Sequence, residues 1–286
     1  MKATWYNMIT QAERKYILER AYVPEHVPGY VCPISGAEPH LVDDFFAYVD
    51  TGRLIFIGYS VEGSSNAKAC EKALRRALKR FGAERINFIG PDVPSGIADG
   101  ASVSRDYYYG LEIDSVRISQ KVQNMLSRAS REVIVVKGVD FGEEHTTLID
   151  EFLMRRNVGE ATRSIFARIP EYVRTCETAT LLDARNSTGE LVAFDVTESG
   201  AKEHLFYLFN FSSSRWYVPG ASDLLMREMI REASAQGKRF MNMGLGIDPG
   251  VTFFKTKWGG RPFLPYIGCE YAAPRRDAVK ALLDKL

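Results

Sequence analysis

The sequence lacks the bulk properties that would point to a nucleic-acid or membrane partner. Its 37 lysines and arginines almost balance its 36 aspartates and glutamates, and the net charge is +1. This balance provides no overall attraction to polyanions. No apolar run approaches the roughly 18 residues of a membrane-spanning helix, and the N-terminus has no apolar stretch typical of a secretion signal. We therefore expect a cytoplasmic protein without a membrane partner.

Cysteine is also scarce. The four cysteines, Cys32, Cys70, Cys176 and Cys269, are far apart, form no C-x-x-C motif and have no histidine at metal-ligand spacing. We expect unpaired thiols in a reducing compartment and no metal centre.

The motifs of nucleotide chemistry and of covalent catalysis are missing. The sequence has no G-x-x-x-x-G-K-[ST] phosphate loop, and GLGIDPG at 244–250 lacks the spacing of a dinucleotide-binding turn. No G-x-S-x-G motif occurs, and no pattern joins His145 or His204 to a cysteine and a third partner. Nucleotide hydrolysis, hydride transfer and covalent catalysis are therefore disfavoured.

The sequence does contain an alternation of apolar strands and amphipathic helices in a chain long enough for two domains. Of its 286 residues, 45% are hydrophobic, as in ordinary soluble globular proteins. Helical spacing over 66–81 and 222–236 is followed in each case by glycine and a short apolar strand. Turn residues at 50–52 and 186–189 predict two hairpins. The prolines and glycine of 24–33 predict irregular structure.

Two passages repeat the same order of elements at a constant offset. LKRFGAERINFIG and ASAQGKRFMNMGLG each end a helix at glycine and place asparagine in the following strand. Gly237 follows Gly82 by 155 positions (237 − 82 = 155), and Asn242 follows Asn87 by the same number. We interpret this offset as a tandem pair of similar domains joined by a connecting helix. The predicted domains are residues 1–118 and 119–286.

The passage FNFSSSRWYVPGASDLLM joins a predicted strand to a predicted helix and is the first candidate binding segment. Free N–H groups at a helix N-terminus suit an anion, and the guanidinium of Arg215 would hold a phosphate or carboxylate. Small residues at the helix start would let a ligand approach the backbone. The candidate binding residues are Arg215, Tyr217, Gly220, Ala221 and Ser222. A plain loop that caps its helix is the alternative interpretation.

Polar residues on three predicted strands form the second candidate group. Asn242 lies within an apolar strand, where its amide must bond to splayed backbone or to a ligand. Asp195 and Glu198 lie on another strand, and either carboxylate would need a raised pKa to act as a general base. Asn210 lies on the third predicted strand, which comes between the other two in the sequence. We select Asp195 and Asn242 as catalytic candidates and Asn210 as a binding candidate.

The segment GVTFFKTKWGGRPF places two lysines among four aromatic residues. A turn at 248–250 predicts a helix start, and helical spacing then places Phe254 and Trp258 on one face. Lys255 and Lys257 are two positions apart and point in different directions. We therefore expect Lys255 at the site, as a catalytic candidate, and Lys257 in water. A lysine that reaches past the aromatic side chains to solvent is the alternative.

The order of elements and the segment 217–260 resemble the GNAT acyltransferase superfamily. The run FKTKWGG at 254–260 is similar to the terminal fK.kfGg signature of the Fem-type branch, whose members carry two GNAT-like domains in tandem. The resemblance implies an α+β (α/β layered) fold of two tandem GNAT-like domains, each with a mixed, mostly antiparallel sheet flanked by helices.

The resemblance also implies an N-acyltransferase that passes an acyl group directly from an activated donor to an amine of a small molecule or peptide. The donor would lie where two central strands diverge, near Asn210 and Asn242, with its anionic groups at the 215–221 loop. Lys255 would stabilise negative charge on the donor carbonyl oxygen. The acyl-CoA motif Q/R-x-x-G-x-G/A is not matched, because the arginine of this loop precedes its glycine by five positions.

Two donors and one non-catalytic interpretation stay open at this point. Acyl-CoA as a co-substrate is preferred, without a metal. The alternative is Fem-like transfer from aminoacyl-tRNA to a peptide or cell-wall precursor, which needs a basic track. The basic residues of 75–80 offer one, but the net charge of +1 does not favour tRNA. A GNAT-fold binding module that has lost the chemistry is the third interpretation.

Overall fold

The protein, described here by a computed structural model over residues 8–63, 66–95 and 101–272, is built on one sheet of 11 strands. The strands are β1 (Glu38–Val42), β2 (Phe45–Asp50), β3 (Arg53–Ile57), β4 (Arg85–Gly90), β5 (Ser102–Glu112), β6 (Val133–Lys137), β7 (Ala179–Asn186), β8 (Leu191–Glu198), β9 (His204–Ser212), β10 (Phe240–Leu245) and β11 (Arg261–Ala272). Their order across the sheet is β1-β2-β3-β4-β11-β5-β10-β9-β8-β7-β6. The helices are α1 (Gln11–Arg20), α2 (Pro28–Ser35), α3 (Ala67–Phe81), α4 (Gln120–Ala129), α5 (Glu143–Arg155), α6 (Glu160–Ala167), α7 (Ile169–Thr175), α8 (Ala221–Ala235) and α9 (Pro249–Lys257).

The repeat predicted from the sequence appears in the sheet as two matching strand–helix–strand units. β3 continues through α3 into the parallel strand β4, and β9 continues through α8 into the parallel strand β10. The other strand pairs are antiparallel. β4 spans 85–90 and β10 spans 240–245, so the offset of 155 positions holds at both ends of the strand. The predicted fold class is confirmed.

The two halves exchange strands at the centre of the sheet. β5 comes before the predicted boundary at 118/119 but pairs with β10 of the second half. β11 comes from the second half and lies between β4 and β5. The sheet is therefore continuous across the halves. The division into domains at 118/119 stays a prediction.

The helices cover both faces of the sheet because consecutive strand residues point to opposite sides. In β7, Leu182 packs in the core under α4 and α8, whereas Leu181 packs in the core under α5 and α7. α3 has the strongest sequence signal, since its buried residues recur at helical spacing. Asn66 caps its start by accepting the Ala69 N–H at 3.1 Å, and Gly82 ends it with φ 62°.

The proline-rich segment after α1 corrects one prediction. A 3₁₀ turn spans Pro24–His26, and α2 begins at Pro28 rather than giving way to irregular chain. Proline at the first helical position loses no hydrogen bond, since that N–H has no partner inside the helix. α2 also includes Pro33 and ends at Gly36 with φ 73°. The prediction was wrong because it treated every proline as a helix breaker, whereas a proline at the start of a helix is compatible with it.

Three simpler expectations concern thiols, membrane helices and the chain end. All four cysteines are buried and unpaired. Within residues 8–63, 66–95 and 101–272, no helix combines the length and the apolar character needed to cross a membrane. The sequence also predicts a helix that ends at Leu286, which lies outside the described residues.

Candidate active site

The parallel strands β9 and β10 diverge and open a wedge in the sheet. Their pairing ends where Asn242 lies opposite Phe206, although β9 continues to Ser212 and β10 to Leu245. On its other side, β10 pairs with β5 irregularly between Asn242 and Leu245. Strand backbone without a ladder partner leaves N–H and C=O groups that other groups must satisfy. The wedge lies beside Asn242, and binding of the donor there stays a prediction of the family resemblance.

Asn242 holds the backbone at the origin of the wedge. Its side chain is 1% exposed. The amide oxygen accepts the Gly244 N–H at 2.9 Å, and the amide nitrogen donates to the carbonyl oxygen of Tyr22 at 3.0 Å. A buried amide needs such partners, and here protein backbone supplies them. These contacts position β10 against the chain that follows α1, while a catalytic role for Asn242 stays a prediction.

Helix α9 carries Lys255 into the wedge. Asp248 caps the helix by accepting the N–H groups of Gly250 and Val251 at 2.8 and 2.9 Å, and Pro249 occupies the first helical position. Phe254 of α9 packs against the core, and Trp258, the residue that follows the helix, is buried in it. The Lys255 side chain is only 3% exposed, so it does not reach solvent as an ordinary surface lysine would.

The Lys255 ammonium lies among backbone and aromatic groups. It donates to the carbonyl oxygen of Leu245 and lies 5.9 Å from the centre of the Tyr109 ring. A Cβ added at Gly244 would lie 3.7 Å from this ammonium and 3.4 Å from the carbonyl oxygen of Tyr207. Gly244 has φ +74°, a conformation that favours glycine. The absence of a side chain there leaves the ammonium facing the diverging strands.

The charge of Lys255 is set by burial. Desolvation lowers its pKa to about 7, and the Asp106 carboxylate opposes part of that shift. Asp106 is itself held by the backbone, since it accepts the N–H of Ile247 at 2.8 Å. The amine therefore changes protonation close to neutral pH, which is the range in which a group can both stabilise charge and exchange a proton.

Lys257 is not in water, which corrects the second half of the lysine prediction. Its ammonium lies 2.7 Å from a carboxylate oxygen of Asp223 in the first turn of α8, and its side chain is 18% exposed. It also lies 4.7 Å from the centre of the Phe254 ring. The indole N–H of Trp258 donates to the same Asp223 carboxylate at 2.8 Å. This carboxylate was missed by sequence reasoning, because an acidic residue in the first turn of a helix is common without any partner.

Asp195, Asn210 and Ser222, selected separately from the sequence, form one hydrogen-bond chain. The Asn210 amide nitrogen donates to Asp195 at 2.6 Å, and the Ser222 hydroxyl donates to the Asn210 amide oxygen at 3.2 Å. The chain links β8, β9 and the start of α8. The second carboxylate oxygen of Asp195 is buried without a partner among the described residues. Burial raises the pKa of Asp195 to about 8, against the opposing effect of the Asn210 hydrogen bond.

The Tyr207 side chain connects this hydrogen-bond chain to the Asp223–Lys257 contact between α8 and α9. Burial first, and then the charges of Asp195 and Asp223, raise its pKa well above the usual value. Its ring lies 6.5 Å from that of Phe254. Tyr207 was not selected from the sequence, since an aromatic residue in an apolar strand is typical of the hydrophobic core.

The loop between β9 and α8 presents its basic and aromatic side chains to solvent. Arg215 is exposed and lies over the ring of Trp216 at 4.9 Å. Tyr217 is 65% exposed. Arg215 forms no ion pair within the described residues, so its guanidinium is available to an anion. The loop itself is fixed because the Ser213 hydroxyl accepts the N–H groups of residues 215 and 216 at 3.2 and 3.1 Å.

The sequence predicts that Gly220, at the start of α8, leaves space for a ligand, and the structure contradicts this. It also predicts free backbone N–H groups at this helix start, and these are present. A Cβ at Gly220 would meet Met125 at 3.0 Å and Ala129 at 3.1 Å, so α4 occupies the space that the sequence analysis reserved for a ligand. Ala221 is buried. The N–H groups of Ser222 and Asp223 have no hydrogen-bond acceptor in the part of the chain that the structure describes. Anion binding by this helix start stays a prediction.

A second polar cluster lies on the other face of the sheet and is accounted for by its own contacts. Glu144, His145 and Asp183 bring three possible metal-ligand atoms within 4.8 Å. His145 accepts the Gly142 N–H at 3.0 Å, so its other ring nitrogen carries the proton that goes to Asp183 at 3.0 Å. Asp183 and Glu144 both accept from Arg185. The cluster is a hydrogen-bond network, buried at His145 and Asp183 and exposed at Glu144, that joins α5 to β7.

Comparison with known proteins shows the fold through structure alone, since no family model and no curated protein matches the sequence. The C-terminal domain of a candidate lysylphosphatidylglycerol synthetase from Agrobacterium fabrum superposes with a TM-score of 0.62 at 15% identity, over 96% of each chain. FemX superposes with a TM-score of 0.60 at 11% identity, over 93% of this chain and 96% of that one.

A third structure supports the tandem arrangement. A tandem GNAT protein from the clavulanic acid biosynthesis pathway superposes with a TM-score of 0.50 at 11% identity, over 81% of this chain and 79% of that one. Such low identity shows the fold and does not transfer an activity. The chain thus has a tandem GNAT-like fold with a Fem-type resemblance, as its sequence implied.

Proposed function

We propose that the chain is a transferase that moves an acyl group from an activated donor, bound in the β9–β10 wedge, to an amine. The observation that carries this proposal is the burial of the Lys255 ammonium at the wedge, next to backbone that has left its ladder. Burying an ammonium beside carbonyl oxygen without a carboxylate contact costs free energy. A ligand that binds where the two strands diverge would offset this cost in free energy.

The proposed reaction is a direct transfer. The amine nitrogen attacks the donor carbonyl carbon, a C–N bond forms, and the bond from that carbon to the leaving sulfur or oxygen breaks. The amine loses one proton, and the leaving group takes one up. The carbonyl oxygen gains negative charge in the transition state, and the Lys255 ammonium would stabilise it. In the resting structure the Leu245 carbonyl oxygen occupies the position of that acceptor.

Two groups are assigned to holding the donor. The exposed Arg215 and the free N–H groups of residues 222 and 223 would bind its anionic part. Asn210, held by Asp195, orients the Ser222 hydroxyl at the same helix start. Asp195 is buried and contacts Asn210, so its role as the base stays a prediction. Acyl-CoA is the first donor to test, because it offers both a reactive carbonyl and phosphates.

The experiment measures donor binding and transfer separately. Thermal shift with acetyl-CoA, longer acyl-CoAs and charged tRNA tests donor binding. Transfer is then followed with polyamines and peptides as acceptors. Because the Agrobacterium neighbour is named for lysylphosphatidylglycerol, phosphatidylglycerol is included as a hydroxyl acceptor. An ester formed on it, with no amide formed on any amine, would contradict the amine acceptor proposed here. Lys255→Met should reduce kcat by about 100-fold with the donor affinity retained. The exposed Lys121→Met on α4 is the control and should leave kcat unchanged. If no donor shifts the melting temperature, the proposal fails.

The exposed face of α3 favours aminoacyl-tRNA as a second candidate donor. α3 carries six cations and one carboxylate, a local excess that the net charge of +1 conceals. The cations are Lys68, Lys72, Arg75, Arg76, Lys79 and Arg80. Binding of charged tRNA should weaken steeply with added salt. A Lys72→Glu, Lys79→Glu double variant should weaken it further, whereas Lys121→Glu should not. Salt-independent binding would argue against this donor.

A further inference from the structure

Glu25 is a carboxylate set among tyrosines on the opposite face of the sheet from Lys255. The Tyr108 hydroxyl donates to it at 2.8 Å, and the Tyr48 hydroxyl donates to the Glu25 backbone carbonyl at 2.7 Å. Tyr108 lies next to Tyr109 in β5, so the two rings point to opposite faces. Tyr109 faces Lys255 and Tyr108 faces Glu25. Glu25 is half-buried.

This carboxylate has no cationic partner among the described residues. Glu25 takes part in none of the ion pairs of the structure. The adjacent His26 does not supply a charge, because burial lowers its pKa to about 4. Burial also raises the pKa of Glu25 to about 7, although the Tyr108 hydrogen bond opposes the shift. A group in this position is stabilised by a cation that arrives from outside the protein.

Two more tyrosine hydroxyls on this face of the sheet are free. Tyr30 and Tyr266 are both half-buried, and neither hydroxyl has a hydrogen-bond partner in the part of the chain that the structure describes. After burial, the Glu25 charge and Tyr266 raise the pKa of Tyr30, and the Glu25 charge also raises that of Tyr266. Both side chains also pack against the buried cluster that contains Tyr48 and Tyr108, the two tyrosines that donate to Glu25. The ring of Tyr266 packs edge-on against that of Tyr108 at 5.5 Å.

We propose that Glu25, Tyr30 and Tyr266 form a receptor for a primary ammonium group of the substrate. An ammonium has three N–H donors, and this site offers a carboxylate and two phenol oxygens as three acceptors. The surrounding tyrosine rings favour a cation over a neutral group. A neutral alcohol would leave the carboxylate uncompensated. A quaternary ammonium would provide the charge without the N–H donors.

The proposed receptor is connected to the wedge through β5. Tyr108 pairs with Leu245 across β5 and β10, and Leu245 is the residue whose carbonyl oxygen accepts from Lys255. The bound ammonium therefore lies on the far side of the strand pair that borders the wedge. It recognises the substrate and is not the reacting nitrogen. This inference deepens the proposed function and rests on it for the substrate, but binding of an ammonium is measured without any transfer.

The test is a titration of the full chain with butylammonium, butanol and tetramethylammonium, followed by NMR. Butylammonium should bind, and the other two should bind at least about tenfold more weakly, a difference of about 1.4 kcal/mol, because each lacks either the charge or the N–H donors. Glu25→Gln should weaken butylammonium by about tenfold or more. Tyr30→Phe and Tyr266→Phe, which keep the rings, should each weaken it by a smaller factor. Equal binding of butylammonium and butanol would overturn the proposal.

Matched controls separate this result from general charge effects and from the proposed function. Glu270→Gln removes an exposed carboxylate from the same strand as Tyr266 and should leave butylammonium binding unchanged. Equal losses in Glu25→Gln and Glu270→Gln would contradict a specific receptor. If Glu25→Gln does not fold, the tyrosine variants decide, and unchanged binding in both refutes the receptor. Transfer that requires Lys255, together with a chain that binds no ammonium, would leave the proposed function standing and remove this inference alone.

Discussion

Lys257 of α9 and Asp223 of α8 form an ion pair of 2.7 Å across the base of the candidate active site. The Trp258 indole shares the same carboxylate at 2.8 Å. Two helices that approach the wedge from different parts of the chain are thereby held together. The position of Lys255 in the wedge depends on this contact, because Lys255 lies on the same short helix.

Removing the Asp223 carboxylate should destabilise the protein strongly. Asp223→Ala leaves the Lys257 ammonium and the Trp258 N–H without a partner in a largely buried place, and we expect a loss of about 3 kcal/mol. Glu228→Ala on the same helix breaks an exposed pair with Arg231 and should cost about 0.5 kcal/mol. Urea unfolding measures both. Similar losses in the two variants would mean that the α8–α9 ion pair is not a structural contact.

Replacing Lys255 with methionine should stabilise the protein in a pH-dependent way. The native amine holds its proton only below about pH 7, whereas the unfolded amine holds it up to about 10.5. Between those values the unfolded chain binds more protons, so the stability of the wild type rises with pH. Lys255→Met removes this rise.

We therefore expect Lys255→Met to exceed the wild type by a few kcal/mol near pH 6, and the gain to shrink as pH approaches about 9. Lys121→Met, an exposed change, should show no such trend. Urea unfolding at several pH values measures the difference. A gain that stays constant with pH would show that Lys255 is not desolvated.

Asp195→Asn should have the opposite pH profile. The native carboxyl keeps its proton up to about pH 8 and the unfolded one only to about 3.8. The native state binds more protons between these values, so wild-type stability falls as pH rises across the window. Asp195→Asn removes this fall and keeps an oxygen for the Asn210 amide. It should be more stable than the wild type near pH 8 and nearly equal to it near pH 4. A gain already present near pH 4 would contradict the assigned cause.

Two glycines with positive φ separate backbone strain from packing. Gly220 has φ +90° and faces Met125 and Ala129, whereas Gly237 has φ +70° and faces open space. Alanine at either position pays about 1 kcal/mol for the left-handed conformation. In Gly220→Ala, overpacking against α4 destabilises the protein by about 1–3 kcal/mol more. Thermal unfolding of the two variants measures the difference. Equal losses would mean that α4 moves aside without cost.

The repeat was predictable because it is local in sequence. A helix that ends at Gly82 or Gly237 and a strand that follows it leave a pattern of apolar spacing and glycine that needs no tertiary information. The exchange of β5 and β11 was not predictable, since a strand's own sequence does not specify which neighbour it pairs with. The helix at Pro28 was missed because a proline at a helix start and one in a loop look alike in sequence.

The candidate residues divide in the same way. Lys255 was predicted from its aromatic surroundings, and the structure places it, buried, at the wedge. Lys257 was assigned to water, since its partner Asp223 is 34 positions away. Glu25 could not be selected, because its tyrosines come from α2, β5 and β11.

The sequence alone determined the alternation of strands and helices, the repeat of the strand–helix–strand unit and the unusual character of the Lys255 segment, because each appears in residues that are neighbours along the chain; the fold class followed from the family resemblance. The tertiary structure alone decided that Lys257 pairs with Asp223, that Asp195, Asn210 and Ser222 form one chain, and that Glu25 lies among tyrosines without a cation. The physical reason is that charge and hydrogen bonding act over a few ångströms in space, and distance along the chain does not record which groups come that close.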